Sequence, residues 1–469
     1  MVWGMLVGIT LSAVLPTTGY AQSVYFTTGL KIAELTPTEV RVWTRLNAQA
    51  QPNPITHKRR KKIFRHPLHF DEHMPVDSMD GAVRGAKGYV RGVLIDGGQR
   101  KRSRWYRARE KDDFSVQIAF SGLAANTHYR LVLEGKASRG SASITQMEGS
   151  FRTPPAHDAI EPVRFTTSTC QYFWSFDDPE VGFKTYASMA VLKPDFFVQT
   201  GDYVYYDKPG PFATTLAKAR HKWHAMNSRP SLRDFLRNTP IYMVKDDHDL
   251  LSDDADPTTE DYGQLSFEDG LQLWRENVAI GKTPYRTFRW GQDLQIWLVE
   301  GREFRTANDA PNGADKSIWG DKQKAWFQKT LRQSDATFKI LFSATPIVGP
   351  DRANKTDNHA NQAFATEGQW VRELLADGKN TFIVNGDRHW QYVSEDPETS
   401  LIEFGSGPVS NEHVQGWNPN NQRPEHRYLN LIGGFLGIDV FRQNEQPTIR
   451  FTHYGVQRDS LHTEEFSAQ

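Results

Sequence analysis

The sequence predicts an α/β (α+β) domain with a β-sheet core covered by helices, preceded by an all-β sandwich. Three observations carry this. Residues 23–154 contain short runs in which apolar and polar side chains alternate, as they do in half-buried strands. Thr153-Pro154-Pro155 then forms a stiff boundary, the composition of a linker. Beyond it, continuously apolar β-like runs are separated by helical stretches, the pattern of a sheet covered on both faces.

The chain has 469 residues, enough for two or three domains. Lys plus Arg and Asp plus Glu both number 56, so no global charge draws the protein to nucleic acid or to an anionic membrane. Val2 to Pro16 is short and mostly apolar, and Gly19-Tyr20-Ala21 follows it. This reads as a signal peptide, residues 1–21, cleaved after Ala21, although a positive leading segment is missing. The expected location is therefore secreted or periplasmic. No later stretch reaches ~20 uninterrupted apolar residues, so no transmembrane span is expected. Cys170 is the sole cysteine, which excludes internal disulfides and makes a buried or bound thiol the expectation.

Within the first region, Val40–Leu46, Phe114–Phe120, Tyr129–Leu133 and the run up to Phe151 read as strands. The segment from Ser121 to Tyr129 reads as a turn entering a strand with a central tyrosine. It resembles the tyrosine corner of a fibronectin type III or immunoglobulin-like sandwich. Two basic stretches, Lys58 to Lys62 and Arg100 to Arg109, have the chemistry to hold an anionic polymer, but read more simply as solvated loops. After the boundary, β-like runs fall at Val163–Thr167, Phe196–Gln199, Ile241–Val244, Leu294–Val299, Phe338–Ser343 and Thr381–Val384. Helical stretches fall at Phe212–Met226, Phe267–Asn277 and Lys322–Arg332, and the segment from Ser400 to Tyr454 is strand-rich. The division expected is thus 23–154 for the sandwich and 160–469 for the catalytic domain.

Four of the apolar runs end in metal-ligand chemistry: Ser168-Thr169-Cys170-Gln171, Gly201-Asp202 through Tyr205 to Asp207, Asp246-Asp247-His248-Asp249 followed by Asp253 and Asp254, and Gly386-Asp387-Arg388-His389-Trp390. Ligand crevices in open α/β sheets lie outside the carboxyl ends of the strands, so these four ends can converge. Buried carboxylates without cations cost several kcal/mol each, roughly, or take up protons. Metal ions resolve the conflict: carboxylates suit hard cations, while thiolate, phenolate and imidazole suit transition metals.

The set Gly-Asp-x-x-Tyr, Asp-Asp-His-Asp and Gly-Asp-Arg-His-Trp, with Ser-x-Cys-Gln after the first strand, resembles the PhoD-like (alkaline phosphatase D) family of metallophosphoesterases. The helix start at Trp319-Gly320-Asp321 is similar too, and the likeness extends over most of the chain, because that family also carries a small β-sandwich before its catalytic domain. The resemblance implies an exported alkaline phosphatase or phosphodiesterase with a cluster of Fe³⁺ and Ca²⁺. By motif, Cys170, Asp202, Tyr205 and His389 would approach the iron. Asp202 would bridge to calcium, held also by Asp387 and a ligand in Asp246–Asp254, for which Asp246, Asp247 and Asp253 are the candidates. Asn is frequent after the Asp-Asp-His segment in that family; here Ser252, Asp253 and Asp254 stand there. Glu300 replaces the usual Asp ahead of Gly301-Arg302.

The ions imply a metal-activated oxygen nucleophile. His248 is the candidate for stabilising the pentacovalent state or protonating the leaving oxygen, and Arg302 and Arg388 for holding phosphate bidentately. The expected partner is a phosphoester substrate, small or polymeric, with no specific protein partner and no nucleic-acid-binding domain. Gly405-Ser406-Gly407 lacks the flanks of a serine-hydrolase elbow, and no phosphate-binding Gly-Lys loop is present. The alternative from another class is a non-catalytic, calcium-stabilised cell-surface binding protein.

Overall fold

A computed structural model describes residues 23–60 and 66–469. The signal peptide expected at 1–21, and part of the basic stretch 58–62, lie outside the described residues. The parallel strands Val163–Ser168, Phe196–Thr200 and Ile241–Val244 form the centre of a nine-stranded sheet. The antiparallel strands Gly434–Gln443, Gln446–Gly455 and Ser460–Ser467 extend it on one side. A seven-stranded sheet faces it, built on the parallel strands Leu294–Leu298, Phe338–Ser343, Thr381–Asn385 and Ile402–Ser406.

Alternation along each strand decides what each face meets. Phe196 and Val198 point between the sheets, toward Trp290, Phe342 and Val384, whereas Phe197 points outward into the helical layer. The rings of Phe165 and Phe196 stack at 4.4 Å, and Trp290 from the opposite sheet lies 4.6 Å from Phe196. Helices Leu216–Asn227 and Phe267–Asn277 bring Trp223 and Trp274 to the outer face of the nine-stranded sheet. Helices Gly320–Gln333 and Ala365–Ala376 cover the other sheet through Phe327, Leu331, Val371 and Leu375. The helix expected from Phe212 starts at Leu216 instead, because Thr215 caps it by accepting from the Lys218 N–H at 3.3 Å. Among the described residues, no helix is long and apolar enough to cross a membrane.

Residues 23–154 form a five-stranded sheet, with Gly88–Asp96 and His128–Lys136 at its centre and Thr145–Arg152 at one edge. It packs on the strands Leu30–Ala33, Glu39–Arg45 and Ser115–Ser121 through Val90, Leu94, Leu131 and Ile118. Those three strands belong to the nine-stranded sheet, with Ala33 opposite Ile241 in parallel register. The hydrogen bonding of the first region therefore runs on across Thr153-Pro154-Pro155, and the catalytic sheet has no bare edge at Ile241–Val244. The tyrosine corner forms, with the Ala124 N–H donating to the Tyr129 hydroxyl at 2.9 Å.

The stack at Phe196 gives a direct test of the inter-sheet core. Phe196→Ala is expected to cost about 3–5 kcal/mol, measured as a lower denaturant midpoint at unchanged slope.

Candidate metal centre

The site grows from the ends of the parallel strands. Asp249 is fully buried and fixes two of those ends. Its carboxylate accepts from the backbone N–H groups of Asp202 (2.9 Å), Tyr203 (2.8 Å), Val204 (3.0 Å) and Asp246 (3.0 Å). The turn after Phe196–Thr200 and the turn after Ile241–Val244 thereby share one anchor. Gly201 sits at φ +106°, and a Cβ there would lie 2.7 Å from the Asp246 Cβ. At Gly386 a Cβ would come within 2.0 Å of the Thr200 carbonyl oxygen. The glycine before each aspartate therefore permits the strand ends to touch. Cys170 (φ 52°), Asp202 (φ 58°) and Asp387 (φ 60°) all take the left-handed backbone conformation, a strain that collects at functional sites.

Four of the predicted residues meet around one carboxylate oxygen. The Cys170 Sγ lies 3.4 Å from Asp202 Oδ2, and the Tyr205 hydroxyl donates to the same oxygen at 2.9 Å. His389 Nε2 lies 3.4 Å from the Tyr205 hydroxyl. Cys170, Asp202 and His389 offer ligand atoms within 4.8 Å of one another. Burial and the adjacent Asp202 push both the Cys170 thiol and the Tyr205 hydroxyl well above their usual ranges. Burial, with His413 beside it, keeps the His389 imidazole neutral, the form that binds metals. A cation among these groups would reverse the penalty on thiolate and phenolate.

Asp202, Asp247 and His248 form a second such group, and Asp247, Asp253 and Asp254 a third. Asp202 Oδ1 and Asp246 Oδ2 are buried oxygens without a hydrogen-bond partner, as expected of atoms that hold a cation. Asp253 stands at the rim, its side chain 64% exposed, with Oδ1 3.6 Å from His248 Nε2. His248 Nδ1 lies 2.7 Å from Asp207 Oδ1. Burial opposes the charge on His248, but Asp207, Asp247 and Asp202 outweigh it and hold the ring proton well above the usual histidine range.

The two arginines expected to hold phosphate are engaged with carboxylates. Arg302 is fully buried, with Nε 2.6 Å from Asp246 Oδ1, Nη2 3.1 Å from Asp357 Oδ2 and Nη1 on the Ala255 carbonyl at 3.2 Å. Arg388 is also buried and pairs with Asp351 and Asp387, both at 2.6 Å. Each neutralises carboxylates behind the ligand layer, because an unpaired acid there would be costly. Glu300 likewise is bound to Lys245 and to the Arg302 N–H.

The open space in front is a cavity of about 350 Å³ lined by Asp202, Tyr205, His248, Asp253, Asp387 and His389. Its cations are Lys208, Arg352 and Lys355, and its wall includes Tyr172, Trp390 and His413. None of these three cations was legible as a site residue; they lie on irregular segments without a motif. His413, 3.1 Å from the Tyr205 hydroxyl, comes from the loop at 410–417. Asp207 closes the same Gly-Asp…Tyr motif, and that spacing was the available signal.

The PhoD-like phosphatase family matches residues 165–432, more than half of the chain. A solved structure of PhoD superimposes with a TM-score of 0.70 at 17% identity, covering 97% of this chain and 92% of that one. A purple acid phosphatase, PPD1, from yellow lupin (Lupinus luteus) seeds gives a TM-score of 0.62 at 9% identity, covering 93% and 74%. At these identities the likeness is one of fold. No curated protein sequence matches. With the family matched across the strands that carry the clusters, the chain belongs to the PhoD-like phosphatases and is a phosphoester hydrolase.

Proposed function

We propose that this hydrolase is an exported alkaline phosphatase or phosphodiesterase whose centre holds Fe³⁺ with one or two Ca²⁺ ions. The observation that carries the reading is the convergence of a thiol, a phenol and an imidazole on Asp202. Thiol and phenol beside carboxylates are the donor mixture for a transition metal next to a hard cation. Cys170, Tyr205 and His389 would hold the iron. Asp202 would be shared, and Asp246, Asp247 and Asp387 would serve calcium, with Asp253 at the rim. When bound, the ions supply positive charge that neutralises a phosphoryl group and acidifies water.

The chain's own groups account for the rest. Asp207 holds His248 through Nδ1 and so orients Nε2 toward the cavity, where it can give a proton to the leaving oxygen. Lys208, Arg352 and Lys355 line that cavity and attract the phosphate. Arg302 and Arg388 pair with Asp246 and Asp387 and oppose the burial that pushes both carboxyls toward the protonated form. Export rests on the apolar leader, and sequencing the mature amino terminus tests it, with Gln22 the expected first residue.

A phenolate on ferric iron absorbs visible light, so the metal-replete protein is expected to be coloured. Tyr205→Phe should bleach it, and Cys170→Ala should lower iron content and activity by at least about tenfold. Absorption spectra and elemental analysis measure both. A colourless, iron-free and fully active preparation would overturn the iron assignment.

The two classes of arginine separate in a second measurement. Arg302→Ala leaves buried carboxylates uncompensated and should cost about 3–5 kcal/mol of stability. Arg352→Ala should raise KM for a chromogenic phosphoester severalfold, with the melting temperature unchanged.

A further inference from the structure

A second cleft, of about 680 Å³, lies between the five-stranded sheet and helix Phe267–Asn277. No residue of the metal clusters lines it. One of its walls is the basic stretch expected to be a solvated loop. That stretch instead forms two strands, Gln99–Arg102 and Tyr106–Ala108, both paired antiparallel with Gly88–Asp96. The pairing lays its cations along one sheet rather than dispersing them in solvent.

Arg104, Arg107, Arg109 and Arg139 are exposed at this cleft. Among the described residues, none of the four has an ion-pair partner. Other arginines of the same sheet are paired: Arg91 with Glu134, Arg130 with Glu148, Arg152 with Asp195. Of the two acids on the cleft, Glu276 is bound by Arg220 at 2.6 Å, and Asp112 lies 3.8 Å from Lys111. In a chain of zero formal net charge, this is a local, unneutralised positive field.

Aromatic rings are interleaved with these cations. Tyr89, Trp105 and Tyr106 line the cleft and are partly exposed. The Arg104 guanidinium lies 4.8 Å from the Tyr106 ring, and that of Arg139 lies 5.8 Å from Tyr89. Cations alone would suit any polyanion. Rings and guanidinium planes side by side suit a polyanion that itself carries flat rings, because bases stack on both.

We propose that this cleft binds a single-stranded polynucleotide, with the arginines on the phosphates and the bases against Trp105 and its neighbours. Binding here needs no turnover and stands independently of the metal centre.

Fluorescence anisotropy of the full chain with a labelled oligothymidylate of about 12 nucleotides tests the proposal. The combined Arg104→Ala, Arg107→Ala and Arg109→Ala variant should bind at least about tenfold more weakly at low salt. Its log–log salt slope should be shallower by about 2, at about 0.7 for each phosphate that an arginine no longer neutralises. Trp105→Ala should weaken binding by about tenfold, the effect of one stacked base. Both variants should hydrolyse a small chromogenic phosphoester at the parent rate, so a failure of the phosphatase reading shows separately. Unchanged affinity in the arginine variant would overturn the site. Inorganic polyphosphate competing as well as the oligonucleotide would overturn the nucleic-acid assignment in favour of a simple polyanion.

Discussion

The arrangement around the site depends on one buried carboxylate. Asp249 takes four backbone N–H groups from two strand-end turns. Burial pushes its pKa up to about 7, while those N–H groups pull the other way. Without this acceptor, four buried donors would be left unpaired, each at about 1–3 kcal/mol. With it, the main chains of Asp202 and Asp246 are drawn so close that only glycine fits at position 201. The left-handed conformation of Asp202 follows as a consequence of closure, and the side chain is left facing Cys170 and Tyr205 rather than its own strand.

That closure concentrates negative charge, and the arginines answer it in depth. Arg302 is surrounded by Asp246, Asp247 and Asp357, and Arg388 lies between Asp351 and Asp387. These pairs lie behind the ligand atoms, so they offset the repulsion among carboxylates without occupying the cavity. The oxygens left over, Asp202 Oδ1 and Asp246 Oδ2, are buried without a hydrogen-bond partner among the described residues.

Much of this was legible in the sequence. Apolar runs ended where strands end, because the runs are buried on both faces and the ligands begin where burial by the sheet stops. Cys170, Asp202, Tyr205 and His389 could be grouped because each follows such a run or a glycine turn. The role of Arg302 was not legible. A guanidinium beside phosphate and one beside carboxylates read alike when the partners are distant, and Asp357 is 55 residues away. The continuity of the first region with the catalytic sheet was hidden for the same reason: Ile241, the partner of Ala33 on the strand Leu30–Ala33, lies far along the chain.

That continuity changes what the first region does for the site. Lys31, on the shared strand, buries its ammonium among the rings of Trp43 (4.5 Å), Tyr203 (4.8 Å) and Trp223 (5.2 Å), and donates to the Asn277 carbonyl at 3.1 Å. Burial lowers its pKa to about 7, with Asp249 pulling it back up. The aromatic faces and the nearby carboxylate make the buried ammonium tolerable. Tyr203 is the residue after Asp202, and its N–H is one of the four that Asp249 holds. A strand from the first region thus supports the outer side of the turn whose inner side carries Asp202. The β-rich N-terminal segment is therefore part of the wall behind the Asp202 turn, and removing it would take Lys31 and Trp43 away from the Tyr203 and Trp223 rings.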